Sequence, residues 1–231
     1  MNERNPVGRA CKGNMAIGLI FDMDGVLFDS HPLHRRVWRR LLESLGRKVS
    51  DEELDFIMDG ARSVEILQHF LGPLSPEQIA AYAARKSVIF RAQEEHLQTT
   101  EGLEAFLDCA ETASIPKAVA TSASNGRARR MLERHRLAAR FTAIVTGDDV
   151  PKGKSDPAIF LRSAEELRVA PGNSVVIEDA VPAIKAAKSV GMKCVGIATG
   201  ARRSQLLQAG ADFVVPDFRS LDISDVFGLF R

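Results

Sequence analysis

The sequence predicts an α/β protein: a Rossmann-like, doubly wound parallel sheet core with an inserted helical cap domain. Short apolar runs such as Val175-Val176-Ile177 read as strands buried on both faces, the pattern of a parallel sheet. From Glu101-Gly102 onward these runs alternate with helical patterns, as βα units require. Between the first run, Ile17 to Phe21, and that point, the periodicity is helical throughout, so a helical segment interrupts the α/β core after its first strand.

The elements follow in order. Met1 to Asn14 is polar and lacks the hydrophobic stretch of a secretion signal, so residues 1–15 are expected to be a flexible extension. The core is assigned to 16–29 and 100–231, and the cap to 30–99. Leu33, Val37, Leu41, Leu42 and Leu45 mark an amphipathic helix stopped by Gly46. Ser50 and Glu53 form a capping-box pattern ahead of Leu54, Ile57 and Met58, and Ser63 precedes Val64, Ile66, Leu67 and Phe70. After Gly72-Pro73, the Ser75-Pro76 start announces a long helix running towards His96. Beyond Gly102 the pattern predicts helices near Leu103 to Ala113, Arg127 to His135, Pro157 to Leu167 and Val181 to Val190. Strands are predicted at Ala118 to Thr121, Ala143 to Thr146, Ser174 to Asp179, Lys193 to Ile197 and Phe213 to Val215.

With 231 residues, 45% hydrophobic and 26% charged, the chain can fill one substantial core and a small appended domain. A net charge of +1 gives no reason to expect nucleic-acid binding. Arg127, Arg129, Arg130, Arg134, Arg136 and Arg140 recur at helical spacing beside Met131, Leu132 and Leu137, and are read as a solvated helix face. Cys11, Cys109 and Cys194 have neither paired nor metal-ligand spacing, which points to a reducing compartment. No apolar run reaches the ~20 residues of a membrane span. A soluble, cytoplasmic, monomeric protein is expected.

The chemistry concentrates at the strand ends. Asp22 and Asp24 stand two residues apart beyond the first strand, and if extended geometry persists past Phe21 they project together. Two carboxylates this close need a cation between them or a shared proton. An Asp-x-Asp-Gly run also occurs in calcium loops, but those require further oxygen ligands where this chain has Val26, Leu27 and Phe28. Thr121-Ser122, Lys154 and Glu178-Asp179 each follow another predicted strand. Singly they read as helix caps or a surface lysine. Together, on the carboxyl edge of one parallel sheet, they make a site.

These segments resemble the motifs of the haloacid dehalogenase superfamily of phosphotransferases: Asp22-x-Asp24-Gly25-Val26, Thr121-Ser122, Gly153-Lys154-x-Asp156-Pro157 and Glu178-Asp179. A helical cap between the first and second motifs is similar to the subgroup of β-phosphoglucomutase and the small sugar-phosphate phosphatases. The resemblance implies that Asp22 is the nucleophile and Asp24 the general acid and base. It implies Mg²⁺ held by Asp22, the Asp24 carbonyl and Asp179, with Glu178 assisting, and a phosphoryl group gripped by Lys154 and a hydroxyl of Ser122 or Thr121, Ser122 fitting the register better. Ser155 replaces the family's usual proline after Lys154, with a local loop change expected. An acid at the second position argues for phosphoryl transfer over dehalogenation.

Gly25, His34, Arg62, Ala123 and Asn125 are the candidate substrate-binding residues. His34 falls where the mutase couples cap closure to its acid/base aspartate. Arg62, in Asp59-Gly60-Ala61-Arg62-Ser63, stands one place early relative to the mutase's cap loop, and Asn125 replaces a lysine that helps hold the distal phosphate. The reading is therefore a Mg²⁺-dependent phosphatase for a small phosphorylated metabolite. A β-phosphoglucomutase and a catalytically idle phospho-ligand binder are the alternatives. Hinges are expected near Phe28 to Pro32 and Gln98 to Gly102.

Overall fold

The computed structural model describes residues 16–59 and 61–231; the expected extension at 1–15, and Gly60 of the cap loop, lie outside the described residues. The described residues form one parallel sheet from β1 (Gly18–Phe21), β2 (Lys117–Ala120), β3 (Ala143–Val145), β4 (Ser174–Glu178), β5 (Lys193–Ile197) and β6 (Phe213–Val215), in the order β3-β2-β1-β4-β5-β6. Strand β1 is central, with Ile20 paired to Ala118 of β2 and to Val176 of β4. The winding direction changes there, and ligands of such sheets bind at the carboxyl ends flanking that change. Leu19 and Phe21 join the core on one face of the sheet, and Ile20 and Val176 join the core on the other, so the sheet is buried on both sides.

Helices α1 (His31–Ser44), α2 (Ser63–Leu71) and α3 (Pro76–Arg91) lie between β1 and β2 without a strand among them. They share an apolar cluster of their own built on Trp38, Leu41, Leu42, Leu54, Ile66 and Leu67. The Ser75 cap of α3 forms as read, with Ser75 N–H donating to Gln78 Oε1 at 2.9 Å. Two expectations are corrected. The Ser50–Glu53 capping box is present, but it opens a 3-10 helix, Glu53–Asp59, and the long helix stops at Arg91 before a separate 3-10 turn, Glu94–His96. Glu94 in that turn is buried and meets Arg130 of the core.

The remaining helices are α4 (Leu103–Thr112), α5 (Asn125–Arg134), α6 (Ala158–Leu167), α7 (Val181–Ser189), α8 (Gly200–Gln208) and α9 (Ile223–Gly228). Helices α8 and α9 were not foreseen. Leu206 and Val226 are their only fully buried side chains, so neither carries a strong apolar stripe. No helix of the described residues is long and apolar enough to cross a membrane.

Candidate active site

Strand β1 ends at Phe21, and the extended geometry does not carry on to Asp24. Met23 turns into the core, fully buried, and the chain folds back so that Gly25 N–H donates to the Phe28 carbonyl at 2.8 Å. This turn needs Gly25. Its φ is +81°, and a Cβ there would stand 2.1 Å from Asp179 Oδ2 and 2.3 Å from His31 Nε2. Asp22 and Asp24 nevertheless line one cleft of about 370 Å³, held by different partners.

Asp22 sits among buried charges. The Lys154 ammonium contacts Asp22 Oδ1 and lies 2.6 Å from Glu178 Oε1, while Glu178 Oε2 accepts the N–H groups of Asp179 and Ala180 at 2.8 Å each. Burial, reinforced by Glu178 and Asp179, raises the Asp22 carboxyl well above the ordinary range against the pull of Lys154. Burial alone would lower Lys154, but Asp22 and Glu178 raise it above the usual lysine value, so it stays charged. Donor oxygens of Asp22, Glu178 and Asp179 all lie within 4.8 Å of one another. The buried Asp179 Oδ2 has the His31 ring nitrogen 2.8 Å away as its ion-pair partner. Burial would lower His31, yet Asp179 lifts it to about 9.

Asp24 is enclosed by donors. Ser30 Oγ (2.7 Å) and His34 Nε2 (3.0 Å) meet Oδ1, and Arg127 reaches both oxygens, Nη1 to Oδ2 at 2.7 Å and Nη2 to Oδ1 at 2.5 Å. Burial would raise Asp24, but Arg127 and His34 hold it well below the ordinary carboxylate range. Burial pushes His34 itself down to about 4, so its ring is neutral near pH 7.

The remaining sequence-read residues separate into two groups. Thr121, buried at the end of β2, accepts the Ala123 N–H at 3.1 Å; Thr121, Ser122 and Ala123 all line the cleft, as does Arg62. Arg62 Nε is buried without a hydrogen-bond partner, and Glu65 lies 3.7 Å away. Gly25 supports the site from behind rather than lining it. Asn125 does not line the cleft: its N–H donates to Asp148 and its Oδ1 accepts from Arg129 Nε at 2.9 Å. Ser155 leaves Lys154 fully inserted, with 1% of its surface exposed.

The solvated-arginine expectation holds for Arg129, Arg134 and Arg136, which are exposed, and is corrected for the other three. Arg127 is inserted into the cleft, Arg130 grips the buried Glu94 through Nε (2.7 Å) and Nη2 (3.1 Å), and Arg140 is paired with Asp108 and Glu111. The helical spacing was right, but Arg127 meets Asp24 beyond β1 and Arg130 meets Glu94 of the helical segment. Lys86 was also missed. It is buried under the rings of Trp38 (5.3 Å) and Phe90 (5.4 Å), lines the cleft, and has no acidic partner among the described residues. Its signal was the run Tyr82, Lys86, Phe90, which places one lysine within an aromatic stripe at helical spacing.

Comparison with known proteins agrees with this arrangement. Residues 19–197 match the model of the haloacid dehalogenase-like hydrolase family. A phosphorylated carbohydrates phosphatase of Thermotoga maritima is 31% identical over 89% of this chain and 96% of its own. A β-phosphoglucomutase of Bacillus subtilis is 31% identical over 85% of this chain and 88% of its own. The crystal structure of β-phosphoglucomutase from Clostridium difficile superposes with a TM-score of 0.84 at 25% identity, covering 94% of this chain and 97% of that one. With its motif residues gathered at the carboxyl edge of the sheet, the chain belongs to the haloacid dehalogenase-like hydrolases, among relatives that include sugar phosphatases and a phosphomutase.

Proposed function

We propose that the protein is a Mg²⁺-dependent phosphatase for a small phosphorylated metabolite, a sugar phosphate, working through an aspartyl-phosphate at Asp22. The observation that carries this reading is the Asp22–Lys154–Glu178 chain of contacts beside the buried Asp179 carboxylate, opposite an Asp24 held by separate donors. The donor set fits a hard divalent cation: three buried carboxylates whose oxygens all lie within 4.8 Å of one another. Asp22, Glu178 and Asp179 would hold Mg²⁺, with the Asp24 carbonyl as a further oxygen. When bound, the ion would offset the charge between an anionic nucleophile and an anionic phosphate.

In this reading Asp22 attacks phosphorus; Asp24, which Arg127 and His34 hold ionised, must take up a proton as substrate binds before passing it to the departing sugar oxygen, and later takes one from water. Lys154 and the hydroxyl of Ser122 or Thr121 hold the phosphoryl oxygens as charge builds on them. Arg62, Lys86 and His34 also line the cleft, and in this reading they face the sugar. The likeness to relatives named as carbohydrate phosphatases supports the substrate class. One observation favours a second reading, a β-phosphoglucomutase: His34 touches Asp24, as expected where a cap residue steers the acid/base group.

One experiment tests both. The protein is mixed with Mg²⁺, β-glucose 1-phosphate and a trace of glucose 1,6-bisphosphate, and in parallel with a panel of hexose and hexitol phosphates. Inorganic phosphate and glucose 6-phosphate are followed together. Phosphate release that Asp22→Asn abolishes and Asp24→Asn lowers about 10²-fold or more is the expected result. Glucose 6-phosphate without phosphate release would make the protein a mutase, and silence in both channels with the whole panel would remove the enzyme reading.

A further inference from the structure

We propose that Arg127 is the positioning residue of Asp24, fixing the carboxylate plane and linking it to the seating of the helical segment; this rests on the reading of Asp24 as the acid/base group. The carboxylate is not held evenly. Ser30 Oγ and His34 Nε2 both meet Oδ1, which leaves the group free to turn about that oxygen. Arg127 alone among the described residues reaches Oδ2, at 2.7 Å, while its other terminal nitrogen meets Oδ1 at 2.5 Å. A planar fork across both oxygens sets the rotation of a carboxylate, which a single donor cannot do.

The arginine serves little else. Its side chain is 12% exposed, its Nε has no hydrogen-bond partner, and its terminal nitrogens are spent on Asp24, with Nη2 also lying 3.1 Å from the His34 nitrogen that meets Asp24. Its guanidinium carbon lies 4.4 Å from the centre of the Phe90 ring. His34 belongs to α1 and Phe90 to α3, whereas Arg127 stands in the first turn of α5, directly after the Thr121 loop. One guanidinium from the core therefore touches Asp24 and two helices of the segment above it. Were those helices to lift, the fork would lose both its stacking surface and its His34 contact, and Asp24 would lose its second anchor.

The test is a double-mutant cycle on steady-state turnover of p-nitrophenyl phosphate with Mg²⁺, using wild type, Arg127→Met, Asp24→Asn and the double variant. Turnover of this ester needs Asp24 as the base for water even though its leaving group needs no proton. Arg127→Met is expected to lower kcat about 10–100-fold with KM changed by less than about threefold, and to cost nothing further once Asp24 is Asn. Arg127→Lys, a point charge unable to span both oxygens, is expected to recover less than about a tenth of wild-type kcat. It carries the same cycle should Arg127→Met not fold, as judged by circular dichroism. Wild-type turnover in Arg127→Met, full rescue by lysine, or losses that multiply in the double variant would each overturn the proposal. Turnover that Asp24→Asn leaves unchanged would instead overturn the proposed chemistry, and this proposal with it.

Discussion

Lys86 is the residue whose environment is least comfortable. Burial, with Arg127 nearby, lowers its ammonium from 10.5 to about 7. Between pH 7 and the ordinary lysine value the unfolded chain holds a proton that the folded one has released, so this group makes stability rise with pH across that window. Below pH 7 both states are charged, and the folded state bears the full desolvation. Replacing it with a similar apolar chain should relieve that. Lys86→Met is expected to raise unfolding free energy by about 1–3 kcal/mol at pH 6, with the gain shrinking towards pH 10, read from urea denaturation of the metal-free protein at several pH values. A pH-independent difference would show that the ammonium is not desolvated. A stabiliser that removes a cation from the cleft should also weaken binding of an anionic substrate, the usual tension at such sites. The sequence made some residues legible and not others for a physical reason. Asp22, Asp24, Lys154 and Asp179 each follow an apolar run, which marks a sheet edge without any tertiary knowledge. Arg127 and Lys86 come from helices, where periodicity places a side chain on a face but says nothing of what that face meets.

Among the elements, α5 and the 3-10 turn Glu94–His96 form an ionic contact between the helical segment and the core. Glu94 is 5% exposed at its side chain and Arg130 31%, so the two are not equivalent. Removing Glu94 leaves an arginine able to turn to water, whereas removing Arg130 leaves a carboxylate buried and unpaired. Arg130→Ala is therefore expected to cost about 2–3 kcal/mol and Glu94→Ala only about 1 kcal/mol, measured by urea unfolding at neutral pH. The reverse order would mean that Glu94 gains water when Arg130 is lost. This contact also explains where the reading of elements failed. The strands were legible because continuous apolar runs bounded by turn residues admit few other structures, and each was placed to within a residue or two at its ends. The end of α3 was not, because Glu94 leaves the helix for a partner 36 residues away. Helices α8 and α9 escaped because each buries a single side chain fully, too little for a periodic signal.

At the scale of the molecule, the insertion point decides what can reach the chemistry. Strand β1 is central, so a segment inserted directly after it rises from the middle of the sheet's carboxyl edge, above Asp22 and beside the loop of Lys154. The segment is seated closely there: a Cβ on Gly153, the residue before Lys154, would stand 3.1 Å from a Glu65 carboxylate oxygen of α2. Trp38, Ile66 and Phe90 from above and Thr121, Ser122 and Lys154 from below enclose a cleft of about 370 Å³, near the small end of ligand pockets. A phosphate on a short, flexible metabolite can be enclosed in that volume. A phosphate on a folded protein brings backbone and neighbours that would hold the helices off the core, and with them the Phe90 and His34 contacts that seat Arg127 on Asp24. Small substrates should therefore react in an oriented, water-poor site, and large ones in a disassembled one. With Mg²⁺, kcat/KM for the best hexose or hexitol phosphate is expected to exceed that for a folded phosphoserine protein by at least about 10²-fold, the size of effect that misplacement of a reacting group produces. Comparable values for the two would mean that the helical segment opens freely and that the enclosure seen here does not govern turnover.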